Sequence, residues 1–216
     1  MSSFIQPLAQ ESTPSIIADK LRKAIGHGEF KPGAQLVEAD LARKLHVSRG
    51  PLREGMQRLT QEGLLVSIRN RGLFVVDMTP ADIRDMYVAR EAIERAAALQ
   101  ILRDGDFETV GGKLLKISER MLEADGNPAA VGELDIEFHE TLVRLAGSPR
   151  LSRMHQTYIT ETRMCIHALE ETYAATDARA LEHNRLAEAI QTGDVERTDS
   201  LLIEHMDDAV QRLVNR

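Results

Sequence analysis

Two short helices joined by a tight turn are written into Leu41-Ala42-Arg43-Lys44-Leu45-His46-Val47-Ser48-Arg49-Gly50-Pro51-Leu52-Arg53-Glu54. Leu41 and Leu45 close one apolar stripe, Val47 plugs the corner, and Leu52, Met56 and Leu59 repeat at helical spacing to make a second. Both helices therefore pack inward. The second opens with Ser48 as a hydroxyl cap, and Pro51 is tolerated in a first turn whose amides have no partner inside the helix. Arg53 and Gln57 fall on the face turned away from the stripe, with Arg49 and Gly50 at the helix start. That is the part of a recognition helix that enters the major groove of DNA.

The flanking chain supplies the rest of a small domain. A first helix is predicted from about Ser15 to His27, with Ile16, Ile17, Leu21, Ala24 and Ile25 on one face, broken by Gly26, Gly28, Pro32 and Gly33. Leu36 and Val37 suit a short strand before the next helix begins near Glu38. After the recognition helix stops at Gly63, Leu64–Ile68 and Leu73–Val76 are β-rich runs around Arg69-Asn70-Arg71-Gly72. They predict a hairpin, or wing, with two arginines at its tip.

A net charge of −7 looks wrong for a protein that meets phosphate until it is divided along the chain. Residues 1–76 hold 11 Lys and Arg against 7 Asp and Glu, net +4, whereas residues 77–216 hold 16 against 27, net −11. An acidic remainder confines phosphate contact to the basic end. Arg49 and Arg53 are placed to grip guanine O6 and N7, each good two-bond contact contributing about 1–3 kcal/mol of discrimination. Ser48, Gly50 and the amides of the helix start can hold a phosphate, while Arg69 and Arg71, beside Gly72, reach phosphate or minor groove from the wing. One recognition helix reads only a short half-site, so a homodimer on a palindromic operator is expected.

From Thr79 onward strand signals vanish. Helices are predicted at about 79–103, 106–124, 129–146, 150–174, 177–192 and 194–214, each junction carrying glycine or proline. Short loops make neighbours antiparallel. The fold class is thus mainly α: a winged helix-turn-helix over 10–77, then an all-α antiparallel bundle over 80–216. Aromatic residues at 4% and the absence of tryptophan agree with packed helices. The single cysteine, Cys165, excludes an internal disulfide framework, suits a reducing cytosol and reads as a small core residue. No apolar run approaches the ~18 residues of a membrane helix. Met1–Glu11 has no basic segment followed by an apolar one. A cytoplasmic protein is expected.

Inside the bundle region one set of residues points to a metal. Asp135 and His139 stand one turn, ~5.4 Å, apart on the same helical face. His183 lies 10 residues before Gly193 and His205 lies 12 after it, so an antiparallel hairpin brings the two imidazoles nearly level. Three neutral imidazoles and a carboxylate suit a divalent first-row ion such as Zn, Ni or Mn and leave positions open. His27, His46, His155 and His167 have no partner at ligand spacing and are expected to be ordinary surface or core residues.

Residues 15–76 resemble the winged helix-turn-helix of the GntR family of bacterial transcription regulators, through Leu41-Ala42, Val47-Ser48-Arg49, Pro51-Leu52-Arg53-Glu54, Leu59, Glu62-Gly63-Leu64 and Arg71-Gly72. His46, Gly50 and Gly55 depart from the common glycine, threonine and alanine of that pattern. Residues 82–210 resemble the helical FCD domain of the FadR subgroup, whose metal-binding members carry Asp-x-x-x-His and two later histidines, matched here by Asp135, His139, His183 and His205. Ala146-Gly147-Ser148-Pro149 and Ala189–Asp194 are also in register, with Ser148 where asparagine is usual. This resemblance implies a small organic acid bound beside the metal, with Arg90 as its cation and Arg163 as a second candidate. It implies a ligand-responsive repressor. Two alternatives stay open: a regulator that senses the metal itself, and a metal-dependent enzyme activating water.

Overall fold

Helix α1 (Thr13–Gly26) opens the first of two units, Met1–Asp77 and Met78–Arg216, of the computed structural model, which describes residues 12–104, 106–124, 126–169 and 176–214. Ile17, Ala18, Leu21 and Ile25 are buried, whereas Ile16, predicted on the same face, is 41% exposed. It stands about 100° around the helix from Ile17 and about 200° from Ala18, outside the buried stripe. Helix α1 packs on the recognition helix through Gly55: a Cβ there would lie 2.9 Å from Ile17 Cγ2 and 3.0 Å from the Pro14 carbonyl. The departure from alanine at this position is therefore a close-packing choice. Arg22 fastens the same pair of helices with two bonds to Glu62, of 2.9 and 2.8 Å.

Helices α2 (Glu38–Leu45) and α3 (Arg49–Gln61) are joined by a turn in which His46 is left-handed, φ 54°. Histidine is one of the few side chains that enter this region readily, so it stands in for the more common glycine. Leu52, Met56 and Leu59 are fully buried, as their spacing requires. Strand β1 is Gln35–Leu36 and not Leu36–Val37, because Val37 serves as the N-cap of α2 and is exposed. β1, β2 (Leu65–Ile68) and β3 (Gly72–Val75) form an antiparallel sheet in the order β1-β3-β2. The wing turn is closed by Arg71 N–H to Ile68 C=O, with Asn70 left-handed at φ 61°. Asparagine tolerates that conformation at the third turn position.

The second unit contains, among the described residues, helices α4 (Pro80–Asp104), α5 (Phe107–Glu123), α6 (Pro128–Leu145), α7 (Pro149–Leu169), α8 (Thr176–Gln191) and α9 (Val195–Val214). Thr79 starts α4 by reciprocal capping: its N–H and hydroxyl donate to Asp82 Oδ2, and its Oγ1 accepts from Asp82 N–H. The predicted helical stretch 170–174 and the predicted domain limits at 10–11 and 215–216 lie outside the described residues. Leu114, Phe138, Leu142, Ala187 and Ile190 centre one core, and Tyr87, Cys165, Met206 and Leu213 belong to a second cluster. Cys165 is thus the core residue expected. No helix among the described residues is long and apolar enough to cross a membrane.

Helices α5 and α8 approach so closely that a Cβ on Gly111 would overlap the Cα and N of Gln191, whereas one on Gly112 would sit 3.5 Å from the end of the Gln191 side chain. Gly111→Ala is expected to lower the unfolding free energy by about 1–3 kcal/mol, as overpacking does. Gly112→Ala should raise it by roughly 0.5–1 kcal/mol through helix propensity. Urea denaturation of the two variants checks both signs.

Candidate functional site

The exposed face of α3 carries Arg49, Gly50, Arg53 and Gln57. Ser48 holds the N-cap position with extended backbone, yet its hydroxyl makes no capping bond, contrary to the sequence expectation. The third helical residue, Pro51, has no N–H to offer, so of the two usual capping targets only the Gly50 N–H remains, and the hydroxyl does not take it. Arg53 donates from Nε to Glu38 Oε2 at 2.7 Å, leaving its two terminal nitrogens to solvent. At the wing, Arg69, Arg71 and Gly72 are all exposed. Gly72 has φ 104°, the Gln35 amide donates to the Arg71 carbonyl at 2.5 Å, and the Arg71 guanidinium lies 5.2 Å from the Phe74 ring centre. The predicted basic residues therefore occupy one helix face and one hairpin tip of the first unit, and Glu38 is an additional group that spacing did not single out.

In the second unit, Asp135 and His139 come from the buried face of α6, His183 from α8 and His205 from α9. One ligand atom from each lies within 4.8 Å of all the others, a set able to hold a metal ion. His139 Nε2 is 3.1 Å from His205 Nε2 and 3.2 Å from His183 Nε2. What faces the other nitrogen of each ring decides what these short distances mean. His139 Nδ1 meets Glu94 Oε2 at 2.5 Å, His183 Nδ1 meets the Arg179 carbonyl at 2.8 Å, and His205 Nδ1 faces Glu182 Oε2 at 3.6 Å. The first two are acceptors within hydrogen-bond reach, so the ring protons of His139 and His183 belong on Nδ1 and their Nε2 lone pairs face each other, with His205 Nε2 beside them. His183 Nε2 also faces Asp135 Oδ1 at 3.3 Å. Lone pairs and a carboxylate at this separation repel unless a cation lies between them, and this donor set fits one.

Electrostatics keep the donors in ligand form. Burial pushes His139 down to about 4, against the opposing pull of Glu94, and burial together with His205 pushes His183 down to about 3. Burial raises the Asp135 carboxyl, but the surrounding histidines and the guanidiniums of Arg179 and Arg90 outweigh it and hold it well below the usual range. Glu94 behaves likewise: desolvation opposes ionisation, and Arg90 and His139 overcome it.

A small cleft, partly open to solvent, adjoins the cluster and is lined by Tyr87, Arg90, Asp135, Arg179, His205 and Arg212 among others. Arg90 is 1% exposed; its Nε donates to Glu94 Oε1 at 2.7 Å while its Nη2 has no partner. Arg163 is elsewhere. It pairs with Glu133 at 3.4 Å and does not line the cleft. Arg179, missed at the sequence level, is 2% exposed and sits one turn before His183 on α8, a spacing that places both on one face. His155 is a buried core residue, within the expectation for it, and its Nε2 lies 3.1 Å from Glu94 Oε1, a contact brought about by α7 packing on α4 that no local spacing announces. The side chain of His167 lies outside the described residues.

Residues 15–75 match the bacterial regulatory proteins of the gntR family, and residues 85–208 match the FCD domain. The chain is similar to the HTH-type transcriptional regulator YdhC of Bacillus subtilis, 27% identical over 201 residues, which cover 90% of this chain and 88% of that protein. It is 25% identical to the HTH-type transcriptional repressor GlaR of Escherichia coli over 203 residues, covering 86% and 89% of the two chains. The crystal structure of a GntR transcriptional regulator from Rhodococcus sp. RHA1 superposes with a TM-score of 0.80 at 26% identity, covering 95% of this chain and 99% of that one. With a basic recognition face in one unit and a buried Asp and His cluster in the other, the chain belongs to the GntR family of bacterial regulatory proteins: it is a DNA-binding transcriptional regulator with an FCD domain, not an enzyme.

Proposed function

We propose that this protein is a cytoplasmic repressor that binds a palindromic operator as a homodimer and releases it when a small organic acid occupies the FCD unit beside a divalent metal ion, Zn, Ni or Mn. Asp135, His139, His183 and His205 hold the metal. The acid's carboxylate is bound through Arg90, with Arg179 as the second cation in the cleft. The observation that carries the sensing half is the pair of unmet demands side by side: the imidazole lone pairs of His139 and His183 directed at each other beside His205 Nε2, and a buried guanidinium nitrogen, Arg90 Nη2, without a partner. A cation answers the first and an anion the second. A bound divalent ion supplies positive charge to the acid as well as to the imidazoles.

Arg49 and Arg53 read bases from α3, Ser48 and Gly50 hold phosphate at its start, and Arg69 and Arg71, with Gly72, contact DNA from the wing. The placement of all seven on exposed positions supports this assignment. A relative named as a repressor supports the direction of control. The switch requires that the acid bind the operator-incompetent state more tightly than the competent one.

Fluorescence anisotropy on an operator fragment tests the DNA half. Arg49→Ala and Arg53→Ala are each expected to weaken specific binding by about 10–100-fold, corresponding to the ~1–3 kcal/mol of a two-bond base contact. The double variant should retain only weak, salt-sensitive association. Intact selectivity in the double variant refutes the assignment. Release of the operator by Zn2+ alone, with no effect of added carboxylates, transfers the signal from the acid to the metal.

Elemental analysis tests the metal. Wild-type protein should carry one divalent ion per chain, and His139→Ala or His183→Ala should lose it. Equal metal content in all three proteins rejects the site.

A pH profile follows from the neutral buried imidazoles. His139 and His183 titrate near 4 and 3 in the folded chain against 6.5 when unfolded, so between those values the unfolded state binds more protons. Stability that is complete above pH 6.5 is lost as pH falls toward 4, and the depressed carboxylates Asp135 and Glu94 add the same trend at lower pH. The melting temperature of metal-free protein is expected to fall steadily from pH 7.5 to 5; a flat profile contradicts neutral, buried imidazoles.

A further inference from the structure

Glu94 is the fully buried carboxylate at which the two halves of the sensing site meet. Its oxygens are used unequally. Oε2 accepts from His139 Nδ1 at 2.5 Å, whereas Oε1 is taken by Arg90 Nε at 2.7 Å and by His155 Nε2 at 3.1 Å. We propose that Glu94 is a positioning residue that dictates which nitrogen of His139 carries the proton, and that Arg90 enforces the choice by claiming the carboxylate's other oxygen. This rests on the metal reading above.

A carboxylate offers only acceptors, so the nitrogen facing it must carry hydrogen, and Nε2 is left bare toward His183 and His205. A metal-ligating histidine is commonly oriented in this way by an outer acceptor. Arg90 makes the arrangement specific. Its guanidinium is permanently charged and donates only, and nothing but an acceptor satisfies it. In Glu94→Gln the single remaining oxygen is drawn to Arg90 and His155, and the amide NH2 falls opposite His139 Nδ1. That nitrogen must then accept, which moves the ring proton to Nε2, the atom the metal needs.

The test uses full-length protein. Long-range proton–nitrogen NMR of metal-free, 15N-labelled wild type, with His139 assigned by its loss in His139→Gln, is expected to show the Nδ1–H tautomer. Glu94→Gln should show Nε2–H, and its Zn2+ affinity, measured by competition with a chromophoric chelator, should fall roughly 10–100-fold, the usual effect of removing an outer partner. His155→Gln, which disturbs the same buried contact but keeps the carboxylate, should leave the tautomer unchanged, an outcome that mere loosening of the core does not give. An Nε2–H tautomer in metal-free wild type overturns the proposal even if Glu94→Gln fails to fold. So does a folded Glu94→Gln with wild-type tautomer and Zn2+ affinity. Wild-type protein that binds no Zn2+ defeats the metal reading itself, a result separate from a Glu94→Gln variant that binds it normally.

Discussion

Placing ionised groups inside a helical bundle is costly unless each finds its complement, and the Arg90–Glu94 pair on α4 is where the FCD unit meets that requirement. Both side chains are withdrawn from water, and neither is satisfied by the other alone. Glu94 has oxygen left for His139 and His155; Arg90 has a nitrogen left for the cleft. The pair therefore connects α4 to α6 and α7 by polar contacts that an apolar core would not specify. The same carboxylate touches a cluster histidine and the cation that faces the cleft, so the cluster and the cleft are not independent objects.

The packing around this centre is made of close approaches. Phe138 stands edge-on to His139 and His183, with ring centres 5.4 and 4.8 Å apart, and walls the imidazoles on one side. Gly111 lets α5 reach the backbone of α8, the helix that carries His183 and Arg179. Arg95 ties α4 to α9 with bonds of 2.6 and 2.8 Å to Asp199, six residues before His205. Such restraints matter for a ligand cluster, because its donors must be held in place by groups that are themselves fixed. In the DNA-binding unit the equivalent role falls to Gly55 and to the Arg22–Glu62 pair, which seat α1 against α3 and so set the face that presents Arg49 and Arg53.

Much of the site was legible as spacing. Asp135 and His139 repeat at one turn, and the near-equal distances of His183 and His205 from Gly193 place them level across a hairpin; both inferences use only the helix rise. The left-handed turn at His46 and the arginine-tipped hairpin around Asn70 are local as well. Spacing failed where the partner came from a remote helix. Arg90 and Glu94, four apart, look the same on paper as a solvated surface pair, and His155 gives no local sign of meeting Glu94. At Ser48 the reason is partly local: Pro51 removes one of the two N–H groups an N-cap hydroxyl can bond, and the hydroxyl leaves the other, on Gly50, unused.

By itself, then, the amino-acid sequence determined the class of each element, the exposed basic face of α3 and the identities of the four converging donors, because helical and strand periodicities are properties of short segments. Tertiary structure alone decided that Glu94 lies beneath His139, that Arg179 and not Arg163 joins Arg90 in the cleft, and that the three Nε2 atoms meet. Those outcomes depend on which helices pack together and at what rotation, and that follows from fitting all the side-chain volumes at once, not from any one stretch of chain.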